Sequence, residues 1–267
     1  MGYFFILLCL VINGWGQQLY LPRTISHHLH SAQRGPNESA NAAFQRYLSR
    51  LSSTGVRRIN NDTPVAIARP YSQLAYQGIP VYQSPIMTQK AFMSIRDVRY
   101  LKDSNHNMIR RSSWLFPDDG CFARAALMVQ KLSQWNLLPP AKVFIFGNLS
   151  VKTKNSPYGS VDWWYHVVPI IIVGNQPIVF DPAIEPGQPM LLKDWILAMT
   201  PEINSVKLAI CHPSSYTPDS PCRVDSNSSE PAMDDQLFFL NMEWNRLVEM
   251  NRNPVRELGD FPPWLGH

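Results

Sequence analysis

Apolar positions fall in a few well-separated runs, with intervals rich in Pro, Ser, Asn and Asp between them. The first run, Tyr3 to Ile12, is unbroken and is followed by Asn13-Gly14-Trp15-Gly16, where small residues alternate. It is about half of the roughly 20 apolar residues a spanning helix needs. With the small residues after it, it predicts a signal peptide over residues 1–16, although no Lys or Arg precedes it. Phe44, Tyr47, Leu48 and Leu51 then recur at helical spacing. Thr63 to Ala68 and Ile79 to Tyr82 read as short strands between Pro and Gly breakers. From Lys90 the pattern tightens. Cys121 to Trp135 predicts a helix with Phe122, Ala125, Ala126, Val129, Leu132 and Ser133 on one side, ended by Pro139-Pro140. Val143 to Phe146 and Trp163 to Val173 read as strands. Gln176-Pro177 reads as a turn, and Ile178 to Phe180 as the return strand of a hairpin running into Asp181-Pro182. Leu191 to Met199 predicts a short helix and residues 213–231 a loop. Met233 to Met250 predicts a helix with Leu237, Leu240, Trp244 and Leu247 in register. Helix followed by antiparallel strands is an α+β arrangement. We expect residues 17–85 to form an amino-terminal accessory segment and residues 86–267 the main domain.

Composition changes this picture little. The 267 residues are 45% hydrophobic and 16% charged, which is globular rather than disordered. A net charge of +4, from 24 basic and 20 acidic residues with no block of five like charges, points to neither a nucleic-acid partner nor a stable membrane association. Cysteine changes it more. Beyond the expected signal, three remain: Cys121, Cys211 and Cys222. The last two flank a Pro- and Ser-rich stretch suited to a short disulfide-closed loop, which leaves Cys121 free. His27, His28 and His30 cluster near the expected mature terminus without further converging ligands, so no metal and no cofactor are predicted.

The candidate chemistry starts at Cys121. It follows Pro117-Asp118-Asp119-Gly120, a turn that should deliver it to the first turn of a helix. Backbone N–H groups and the positive helix end there favour a thiolate and supply donors for an oxyanion. His166 lies within the long strand, and Asp181 ends the partner strand, where a carboxylate can approach the imidazole and fix its tautomer. The three types suit nucleophile, base and orienter. Each also has an ordinary structural use: a packed cysteine, a core histidine, an Asp-Pro turn. Trp163 and Tyr165 are candidates for a substrate slot, and Asp119 for shaping its entry; core packing and a turn are the alternatives.

Four blocks then add a resemblance. Asp119-Gly120-Cys121-Phe122-Ala123-Arg124-Ala125, Phe144-Ile145-Phe146-Gly147-Asn148-Leu149, Trp163-Trp164-Tyr165-His166-Val167 and Asp181-Pro182-Ala183-Ile184 together resemble the bacterial protein-glutaminase family, across about residues 110 to 245. Trp195 and Asp234-Asp235 fit less closely. The resemblance implies a papain-like, transglutaminase-related fold that hydrolyses the side-chain amide of glutamine within proteins or peptides and releases ammonia. It puts Cys121, His166 and Asp181 at the catalytic positions; the expected signal peptide makes the chain secreted or periplasmic. The resemblance also implies a pro-segment over the active site, in the place of residues 17–85. Phe122 stands where a tyrosine is usual and Ala126 where a histidine is usual, which bears on substrate preference and stability. A transglutaminase or cysteine protease on the same three groups remains open, as does a non-catalytic secreted binding module.

Overall fold

The computed structural model describes residues 29–53, 59–223 and 232–266. The expected signal peptide, His27, His28 and the Arg57-Arg58 pair lie outside them. A helix α1 (Ala40–Ser53) is followed by a short α2 (Pro64–Ile67), strand β1 (Arg69–Pro70) and helix α3 (Pro85–Asp97). A hairpin of β2 (Leu101–Asp103) and β3 (Met108–Arg110) leads to α4 (Cys121–Gln134). Strands β4 (Ala141–Lys152), β5 (Ser160–Val173), β6 (Gln176–Val179) and β7 (Met190–Leu191) follow, then α5 (Leu192–Met199), β8 (Lys207–Cys211), α6 (Ala232–Glu249) and α7 (Pro254–Leu258). The fold is α+β: helices pack on an antiparallel six-stranded sheet of order β1-β8-β4-β5-β6-β7.

Strand β5 organises the site. Nearly every position from Val161 to Val173 is buried, so both faces of this strand are covered. Helix α4 packs on it from one element and α1 from another. Tyr47 and Leu51 of α1 join the main core, and Phe44 and Tyr47 place their rings 5.5 and 5.0 Å from that of Trp164. Opposite Trp164, β4 carries extra residues between Phe146 and Leu149, with Gly147 at φ 154°. Strict alternation would put positions 163 and 166 on opposite faces. Beside this bulge, with its stronger local twist, the Trp163 and His166 rings instead stack at 4.6 Å.

Several expectations shift. Thr63 to Ala68 is no strand: Pro64 starts a helical turn there and Thr63 precedes it in extended conformation. Ile79 to Tyr82 makes only an isolated bridge, Val81 to Ile172. The hairpin turns at Gly174 and Asn175, both at positive φ, and Pro177 sits within β6 opposite Ile172. Helix α3, the β2–β3 hairpin and β8 are additional to the expected elements. No helix among the described residues is long and apolar enough to cross a membrane.

Candidate active site

Cys121 begins α4, and the step before it needs glycine. Gly120 has φ 79°, and a Cβ there would lie 2.5 Å from the ring of Phe239 on α6. The turn is tied from the other side by Asp119, whose Oδ1 accepts from the Gly120 N–H at 2.8 Å. Cys211 and Cys222 form a disulfide, so Cys121 is the one free thiol among the described residues. It is 2% exposed. Burial pushes its thiol up to about 12; Asp119 and Asp181 add to the rise, while Arg124 and the Val167 N–H oppose it. In this closed state the sulfur is therefore protonated at neutral pH.

The Val167 contact places that sulfur beside the β5 backbone one residue from His166. His166 is equally buried, its Nε2 lies 2.8 Å from Asp181 Oδ2, and Trp195 on α5 donates to the same oxygen at 2.9 Å. Burial opposes ionisation of Asp181, but the His166 ring, Trp195 and Arg124 outweigh it and hold the carboxyl below its ordinary value. An ionised Asp181 keeps the imidazole proton on Nε2 and leaves a lone pair on Nδ1. That Nδ1 is buried and has no hydrogen-bond partner. An orphaned buried acceptor of this kind costs stability.

Trp163 and Tyr165 are covered rather than open to a cleft. Trp163 Nε1 donates to the Asp118 carbonyl at 2.9 Å, and the Tyr165 hydroxyl donates to the His30 carbonyl at 2.6 Å. Asp119 is likewise buried: its Oδ1 also accepts from the Ala32 N–H at 3.1 Å, and burial raises its pKa despite that bond and one from Ser31. All three meet the segment of residues 30–34. It runs along β5, with the Trp164 N–H donating to Ala32 O at 3.0 Å and the Arg34 N–H to Asp162 O at 2.9 Å. Ala32 is fully buried in the same core as Cys121.

Residues 88–199 match the glutaminase family model. Over these residues, less than half of its length, the chain is similar to the glutaminase family. The match supports a glutamine-deamidating enzyme. Cys121, His166, Asp181 and Trp195 all lie within the matched glutaminase segment. No curated protein matches the chain. Among solved structures it is similar to the A47Q2 mutant of pro-protein-glutaminase, with 18% identity, 77% of this chain and 68% of that one covered, and a TM-score of 0.43. A protein-glutaminase crystal structure gives 18% identity, 69% and 94% coverage and a TM-score of 0.42. The NMR structure of protein-glutaminase from Chryseobacterium proteolyticum gives 21%, 67% and 95%, and 0.43. Sequence reasoning gave Trp195 only a loose fit and missed the roles of Ala32 and Arg124. A lone arginine among alanines on a helix start was the available signal for the last.

Proposed function

We propose that the chain hydrolyses the side-chain amide of glutamine in proteins or peptides through a thioester on Cys121. The observation that carries this is the His166 imidazole, held at Nε2 by Asp181 and unpartnered at Nδ1, beside a buried free thiol at a helix start. His166 Nδ1 takes the thiol proton as the sulfur attacks the amide carbonyl carbon. Backbone N–H groups at the start of α4 stabilise the oxyanion. The C–N bond breaks, and His166 returns the proton to nitrogen, which leaves as ammonia. Water then attacks the thioester with His166 as base, the C–S bond breaks, and glutamate and the cysteine are released. Asp181 holds the ring throughout, and no step needs a cofactor.

In the form described here the site is closed, and we propose that residues 30–34 are an intramolecular cover. Cys121 and His166 are 2% and 1% exposed, and Asp119, Trp164 and Tyr165 all bond to this segment. Trp163, Tyr165 and Asp119 would line the substrate slot once it leaves. A secreted or periplasmic location is consistent with the Cys211–Cys222 disulfide.

A glutamine-rich protein incubated with the enzyme, followed at once for ammonia, cross-linked product and backbone cleavage, tests the reaction. Ammonia matched by glutamate is expected. Cross-linked or cut chains without glutamate would contradict hydrolysis and favour transglutaminase or protease chemistry.

A further inference from the structure

The residues leading to Cys121, 112–120, are irregular yet wholly buried. Their carbonyls, out of reach of water, need donors from elsewhere. The side chain of Arg124, one helical turn beyond Cys121, supplies donors to three of them. Its Nη1 donates to the Asp119 carbonyl at 2.7 Å and the Phe116 carbonyl at 3.1 Å, and reaches Ser113 O at 3.5 Å and Ser113 Oγ at 3.4 Å. Arg124 is 2% exposed, and among the described residues it forms no salt bridge. A guanidinium buried this deeply is ordinarily paired with a carboxylate. Carbonyl oxygens fix its position while leaving its charge uncancelled, and Nη2 has no hydrogen-bond partner at all.

We infer that Arg124 is the positioning residue of the nucleophile: it locks the loop that sets Cys121 at the helix start and keeps a buried positive charge one turn from the sulfur. The charge counters the groups that disfavour a thiolate there. These are Asp119 on the preceding turn and Asp181 after β6, with Tyr165 on β5 also within electrostatic range of the sulfur. His166 on β5 accepts the proton. Arg124 likewise favours the ionised form of Asp181, so one side chain biases both ends of the His166 relay toward charge.

The inference rests on Cys121 as nucleophile, and its test reads the thiol directly, so it can fail while glutamine hydrolysis stands. The full chain is treated with iodoacetamide at pH 8, and modification is followed by intact mass and assigned to Cys121 by peptide mapping. Arg124→Gln keeps an N–H donor but loses the charge, and is expected to slow alkylation about tenfold or more. Arg124→Lys restores charge and should come within about threefold of the unaltered chain. Ser113→Ala cuts one loop tie with the charge in place, and should leave the rate unchanged or raise it. A purely structural Arg124 predicts the opposite sign, because a loosened loop admits reagent faster. Equal or faster alkylation in an Arg124→Gln chain that keeps its melting transition overturns the inference. So does slowing by Ser113→Ala as large as that by Arg124→Gln, or failure of Arg124→Lys to recover.

Discussion

At the scale of single residues, the site holds a buried thiol at the start of α4 and an ionised carboxylate on the His166 imidazole. The charge on Asp181 sets which His166 nitrogen is free. Asp181→Asn keeps the shape but removes the charge that holds the proton on Nε2, and should lower ammonia release by about 10³- to 10⁴-fold with little loss of folding. Steady-state kinetics beside a thermal melt would check this; an activity loss under tenfold would contradict the orienting role. Cys121 makes a separate prediction about pH. Its folded-state value is raised from 9.0 to about 12. Its contribution is therefore fully present below about 9 and is lost as pH rises toward 12, at up to about 1.4 kcal/mol per pH unit. Unfolding free energies between pH 8 and 10.5 should fall less steeply in Cys121→Ala than in the unaltered chain. Parallel slopes would mean the thiol is not sequestered.

At the scale of elements, the approach to α4 is the least tolerant part of the chain. Gly120→Ala forces a Cβ against Phe239 at a positive φ and should cost on the order of 1–3 kcal/mol while displacing Cys121. Denaturant melts and ammonia release should both fall; an unaffected variant would show that the turn is not as drawn. The disulfide closes an 11-residue separation, from the end of β8 to a segment whose Cys222 N–H donates to Asp62 O at 2.8 Å. Reducing it should remove about 3 kcal/mol, seen as a lower melting temperature in reductant.

The elements of the site were the legible ones. Long apolar periods marked α4, β5 and α6, and Asp181-Pro182 marked the strand end. Local chemistry hid others. Pro64 served equally as a breaker or a helix start, and Pro177 suggested a turn although it lies in β6 with its missing N–H. The short β1 and β8 exist through pairing partners distant in sequence, and β2, β3 and β7, of two or three residues each, are too short to show a period. The burial of Arg124, Arg110 and Lys142 was likewise invisible, because their partners are carbonyls and carboxylates brought in by tertiary packing.

At the scale of the whole molecule, the amino-terminal segment shares one core with Cys121. Ala32, Ala43, Tyr47 and Leu51 are buried with Cys121, and Tyr47 is hydrogen-bonded to Asp219. Such a cover is held by packing along its whole length, so cutting the chain after α1 and exchanging the segment away should raise ammonia release. The comparison is between intact and nicked protein at equal concentration; no gain would argue against a cover. Whichever form is used, the central claim is that Cys121 carries the acyl group. The most direct test compares the nicked chain and its Cys121→Ala variant on a glutamine-containing peptide, with ammonia and glutamate measured together. The account predicts matched ammonia and glutamate from the first and a fall of about a thousandfold or more in the second, with the melting transition retained. Ammonia release from Cys121→Ala at the unaltered rate would contradict it.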